Sequence, residues 1–168
     1  MVGFEYLAGL FDGEGCISLQ KLKSERLPVF ALRIFVGNTC LEVLQEFQEI
    51  WGGLIREHSK ARKITFIWYA PFEKQLQFLI ALFPYLIVKK KEAETAIDFL
   101  ETRDQYREGR HRNHLKGFQG QRFPGSWYPF AAQCFWHLKR LKGKFDDIQY
   151  SKDMKAAQEI YDQTVVVG

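Results

Sequence analysis

The chain predicts an α+β protein, an αββαββα core around an antiparallel four-stranded sheet, followed by C-terminal helices. Three observations lead there. Apolar and polar residues alternate over 16–20 and again over 29–36, the period of a half-buried strand. The apolar spacing changes to that of a helix over 40–51, 71–83 and 87–108. Turn-forming residues separate these runs, chiefly Pro28 and the pair Gly52-Gly53. With 168 residues, 46% of them hydrophobic, the chain is long enough for one domain with a sizeable core.

The first element is the run Leu7-Ala8-Gly9-Leu10-Phe11-Asp12-Gly13-Glu14-Gly15. Leu7, Ala8 and Leu10 favour helix, and Gly15 is a stop just past the last turn, free to adopt positive φ. Two carboxylates, Asp12 and Glu14, fall in that last turn. The C-terminus of a helix is partially negative and opposes each anion by roughly 0.3 to 1 kcal/mol, so a positive partner is expected nearby. Gly9 and Gly13 lie four apart on one bare face that admits a second backbone. Leu7, Leu10 and Phe11 fall on the core side.

Strands follow over 16–20, with Ile17 and Leu19 inward, and over 29–36, with Phe30, Leu32, Ile34 and Val36 inward. A helix over 40–51 buries Leu41, Leu44, Phe47 and Ile50, has Thr39 or Asn38 as its cap and stops at Gly52-Gly53. Strands over 54–58 and 64–69 flank the basic run Lys60-Ala61-Arg62-Lys63, the second of them apolar on both faces. Pro71 opens a helix with the stripe Leu76, Leu79, Ile80 and Phe83. The next helix, 87–108, carries Ala93, Ala96, Ile97 and Leu100 at helical spacing. Residues 109–126 are rich in glycine and cations and read as a long connection. Two closing helices, 128–142 and 151–163, follow, the second capped by Ser151. The expected division is a core over 1–108 and an extension of the same domain over 109–168.

The motif resembles that of the LAGLIDADG homing endonucleases, differing in Phe11, Gly13 and Glu14. The element order over about 4–101 also resembles that family's core. The resemblance implies two such helices packed at one interface, and the sequence holds a single copy. A homodimer is therefore expected, with Ala8, Gly9, Asp12 and Gly13 at a two-fold contact. By the same resemblance Glu14 and the Gly13 carbonyl hold a catalytic Mg²⁺, with Mn²⁺ able to replace it, and Asp12 gives structural support. The implied reaction is hydrolysis of one phosphodiester in each strand of double-stranded DNA. Lys89, at the end of Pro84-Tyr85-Leu86-Ile87-Val88-Lys89, stands where the family delivers a lysine to the water network. Lys90 and Lys91 are its rivals, and three solvated lysines are the plain alternative. Asn38 falls where the family places a water- or phosphate-holding amide, and turn or cap duty is the alternative there.

The resemblance also implies a sheet saddle on DNA, whose uncovered face reads base edges in the major groove. Strand alternation then offers Ser18, Gln20, Lys21, Lys23, Arg33, Arg56 and His58 as reading residues, with Lys60, Arg62 and Lys63 as phosphate contacts.

Net charge is formally +4, and Lys and Arg cluster at 21–33, 56–63, 89–91, 107–122 and 139–144, which suits a polyanion. Cys16, Cys40 and Cys134 form neither a disulfide framework nor a zinc pattern, so an intracellular setting is expected. His111 and His114 lack further ligands and fit phosphate contact better than metal binding. His137, among Phe135, Trp136 and Leu138, reads as helix packing. No stretch has the apolar length of a membrane span. Two other functions fit the same surface: a maturase that binds intron RNA, and a DNA-binding regulator without catalysis. The retained acid Glu14 argues against the second.

Overall fold

A computed structural model describes residues 2–22, 28–60, 63–108 and 125–165. Its elements are α1 (Phe4–Glu14), β1 (Gly15–Leu22), β2 (Val29–Asn38), α2 (Leu41–Trp51), β3 (Leu54–Lys60), β4 (Lys63–Tyr69), α3 (Gln75–Leu82), α4 (Lys90–Glu108), α5 (Trp127–Leu141) and α6 (Asp147–Val165). The four strands form one antiparallel sheet in the order β1-β2-β4-β3, as the α+β reading expects. No described helix is long and apolar enough to cross a membrane.

The chain divides into two compact units, the first up to Gln20 plus Ala31–Ile97, the second Lys21–Phe30 plus the chain from Asp98 onward. The division falls inside α4 rather than at 108, and the second unit takes in the outer ends of β1 and β2.

In the first unit α1 packs on α3, and α2 packs on β3 and β4. Phe78 of α3 is fully buried and joins them: its ring lies 5.0 Å from Phe11, 4.9 Å from Trp51 and 5.3 Å from Trp68. Phe47 stacks 5.1 Å from Trp68, so the core is an aromatic cluster gathered from α1, α2, α3 and β4. The buried indole of Trp68 donates to the Gly52 carbonyl at 2.9 Å, which ties the turn after α2 to the sheet. Gly52 and Gly53 hold φ of 73° and 97°, and a Cβ on Gly53 would meet the Tyr69 carbonyl at 2.4 Å. The glycine pair ends α2 as expected.

Several expectations need correcting. Gly15 is extended, with φ −77° and ψ 161°, and must be glycine for a different reason: a Cβ there would meet the Phe11 ring at 2.2 Å. On α3 the buried positions are Gln75, Phe78, Leu79 and Leu82, whereas Ile80 is exposed. A helix that is apolar nearly all round offers no stripe to read. Helix α4 starts at Lys90, leaving Ile87 and Val88 outside it and exposed.

Within the second unit α5 packs on α6. Trp127 is fully buried, its ring 5.1 Å from Phe99, and Trp136 packs edge-on to Phe145 at 5.6 Å. Helix α6 begins at Asp147, and the Asp146 carboxylate accepts the Gln149 N–H at 2.9 Å as its cap. Ser151 is one turn inside, its hydroxyl bonded to the Asp147 carbonyl at 2.9 Å, because a serine hydroxyl can close on the preceding turn as readily as cap a new one. His137 is exposed on α5 rather than packed. His111 and His114 lie outside the described residues.

Candidate active site

The Asp12 carboxylate turns away from its own helix and accepts three backbone N–H groups, from Ile87 at 2.7 Å, Lys89 at 2.9 Å and Val88 at 3.1 Å. These are the donors leading into α4, where partial positive charge gathers. In return the Lys89 ammonium donates to the Asp12 backbone carbonyl at 2.5 Å, placing a cation on the carbonyl end of α1. Each helix end thus receives the charge it favours from the other. Burial pushes the Asp12 pKa up, but the bonds from Ile87, Lys89 and Val88 and the Lys89 charge outweigh it, and the net direction is down. The expected positive partner exists, supplied from 75 to 77 residues away.

With Asp12 so occupied, Glu14 is exposed on the last residue of α1, and Gly9 and Gly13 are exposed beside it. Nothing lies within 4 Å of a Cβ built on either glycine, so the bare face expected there is open. Ala8 is corrected: it is fully buried in its own chain with Leu7 and Phe11, so its side chain has no surface to offer a partner. Helical periodicity places it between the two faces, and the core claims it. Ile87 and Val88 stand 84% and 75% exposed next to the same helix end, an apolar pair with which the sequence reading began the helix over 87–108.

Asn38 ends β2, and its Oδ1 accepts the Cys40 N–H at 2.9 Å. That is the turn role, an Asx turn leading into α2, whose first flanking residue is Cys40 rather than Thr39 or Asn38. The Cys40 thiol donates to Glu42 at 3.1 Å, which with the Glu42 backbone N–H holds that exposed carboxyl below its ordinary pKa.

Register settles the faces of the sheet. Val36 and Ile55 both oppose Trp68, so Phe66 and Ile64 share the covered side, while Thr65, Ile67 and Tyr69 share the other. Arg56 opposes Ile67 and His58 opposes Thr65 on that uncovered face, both exposed. Arg33 is exposed there on β2, and Ser18 and Gln20 are half-buried there on β1. Arg56 also lies 6.0 Å above the Tyr69 ring. Lys60 and Lys63 face each other across the β3–β4 ladder, whereas Lys23 and Arg62 lie outside the described residues.

Lys21 is a second correction. It shares strand parity with buried Ile17 and Leu19, not with Ser18 and Gln20, and its ammonium is paired with Asp153 at 2.7 Å. Its charge is thereby paired within the protein, although the residue itself is exposed.

The structure thus presents an uncovered sheet face carrying Arg33, Arg56 and His58, and an exposed acid at the end of α1. The comparison with known proteins supplies the family: this chain belongs to the LAGLIDADG endonucleases, whose sequence model matches residues 7–102. Among solved structures it is similar to the archaeal intron-encoded homing endonuclease I-Vdi141I complexed with DNA, with a TM-score of 0.69 and 15% identity over 94% of this chain and 95% of that one. It is similar to the homing endonuclease I-CvuI, in complex with its target in the presence of calcium, with a TM-score of 0.64 and 19% identity over 92% and 94%. Similarity to the LAGLIDADG homing endonuclease I-SmaMI bound to cleaved DNA has a TM-score of 0.58 and 15% identity, over 87% of this chain and 49% of that one. No curated protein matches this chain.

Proposed function

We propose that this protein is a homodimeric, sequence-specific homing endonuclease that makes a metal-dependent double-strand break in a near-palindromic DNA site. The observation that carries the reading is the end of α1, where Glu14 is exposed beside a glycine face that nothing in its own chain covers. Three further facts support two copies. The sequence has one motif, the chain spans about half of I-SmaMI (49% of it), and among the described residues no three His, Cys, Asp or Glu side chains cluster as a metal site. One helix end offers the Glu14 carboxylate and the Gly13 carbonyl, hard oxygen donors that fit a cation such as Mg²⁺, or Mn²⁺ in its place, yet are too few alone. Two α1 ends meeting across a two-fold axis double that set.

In this arrangement Glu14 and the Gly13 carbonyl hold the cation. When bound, it supplies charge for the phosphate and a more acidic water. Without it the paired Glu14 carboxylates would repel each other. Lys89 adds fixed positive charge at the acid end, and Asp12 keeps Lys89 and the chain entering α4 in place. Arg33, Arg56, His58, Ser18 and Gln20 contribute contacts to base edges, with Lys60, Arg62 and Lys63 on phosphate. Half-sites about one helical turn apart follow from the two-fold symmetry.

The test uses duplexes selected by the purified chain from a randomised library. Glu14→Gln retains binding to them and abolishes cleavage in Mg²⁺. Full cleavage by the variant removes Glu14 from the chemistry. Binding of structured RNA by the wild type, with no break in any duplex, moves the reading to splicing assistance.

A further inference from the structure

Three donors converge on one carboxylate in the second unit. Asp153 of α6, only 9% exposed, accepts from the Lys21 ammonium at 2.7 Å, the Gln149 amide at 2.9 Å and the Trp136 indole at 3.2 Å. Trp136 belongs to α5 and Gln149 to α6, whereas Lys21 comes from the outer end of β1, 132 residues away in sequence. A second contact joins the neighbouring strand to the same helices: the Phe30 ring of β2 lies 6.1 Å from Phe135 of α5. The outer ends of β1 and β2 accordingly belong to the same compact unit as α5 and α6. Lys21 is exposed, so the cost of burial falls on Asp153: a carboxylate withdrawn from water is costly unless a cation and hydrogen-bond donors meet it, and Lys21, Gln149 and Trp136 do so.

We propose that Asp153 is a positioning residue for DNA reading: through Lys21 it lets the C-terminal helices set how the outer end of the β1–β2 hairpin meets the outer base pairs of each half-site. The proposal rests on the endonuclease reading above. Lys21 lies towards the outer end of β1, seven residues beyond Glu14 in sequence. Ser18 and Gln20, on the opposite side of the same strand, are the side chains whose aim would change.

The experiment compares the sequence motifs that the full chain and its variants select from a randomised duplex library, position by position. Asp153→Asn weakens the pairing with Lys21, and Lys21→Met removes it while leaving Asp153 bonded to Trp136 and Gln149. Both variants should lose most of their base preference at the outer positions of each half-site, keep it at the inner positions, and keep the wild-type cleavage rate on a site with the preferred inner bases. The exchange Lys21→Asp with Asp153→Lys should restore part of the outer preference. If Lys21→Met leaves the motif unchanged throughout, or erodes it equally at every position, Asp153 does not position the hairpin, whether or not Asp153→Asn folds. If the wild type selects no motif at all, the endonuclease reading itself fails, which is a different result.

Discussion

Asp12 shows how one side chain can satisfy two helix ends at once. Its carboxylate would be unfavourable on α1 alone, yet it closes the donors of Ile87, Val88 and Lys89, while the Lys89 ammonium closes a carbonyl of α1. Because its folded pKa is lowered, Asp12 stabilises the protein fully above its ordinary carboxylate value of 3.8 and loses that contribution as pH falls through the lower folded value. Denaturant midpoints measured across the acid range below about pH 4 should therefore fall, and Asp12→Ala should flatten that fall. At neutral pH the same substitution should cost about 1 kcal/mol, the usual loss of a helix cap, and a wild-type pH profile in Asp12→Ala would refute the role. The need for a cation near this acid was legible from the helix polarity. Its source was not, since Lys89, Lys90 and Lys91 look alike in sequence and only the bond to Asp12 distinguishes the first.

At the scale of elements, legibility followed periodicity. β1 and β2 alternate cleanly and their faces were read correctly through Gln20 and Val36. Lys21 was misplaced because its charge was weighed above its parity, and the parity was right. β4, Lys-Ile-Thr-Phe-Ile-Trp-Tyr, is apolar on both sides, and only its register with β2 and β3 assigns Trp68 to the core and Tyr69 to the uncovered face. Helix α3 failed for the same cause, an apolar surface without direction. Its central residue nevertheless has a clear energetic weight: Phe78 contacts rings from α1, α2 and β4. Phe78→Ala should lower unfolding free energy by about 3 to 5 kcal/mol, as ring deletions in closed cores do. Chemical denaturation measures it, and a loss below about 1 kcal/mol would mean that the aromatic cluster is not the centre of the first unit.

For the whole molecule, the exposed α1 face is the feature that one chain leaves unexplained. Gly9 and Gly13 weaken a helix by about 1 kcal/mol each relative to alanine, and neither is required by its own backbone or neighbours. Beside them stand exposed Ile87 and Val88. In the proposed homodimer a second copy of the chain would cover all four and bring the two Glu14 side chains together. The most direct test of that claim is the mass of the purified chain in solution by sedimentation equilibrium, measured with Gly9→Leu in parallel. The wild type should run at twice the 19.8 kDa chain mass, and Gly9→Leu, folded but unable to bring two helices close, should run as a single chain without cleavage. A wild-type species that stays at 19.8 kDa while still cutting both strands would contradict the shared active centre.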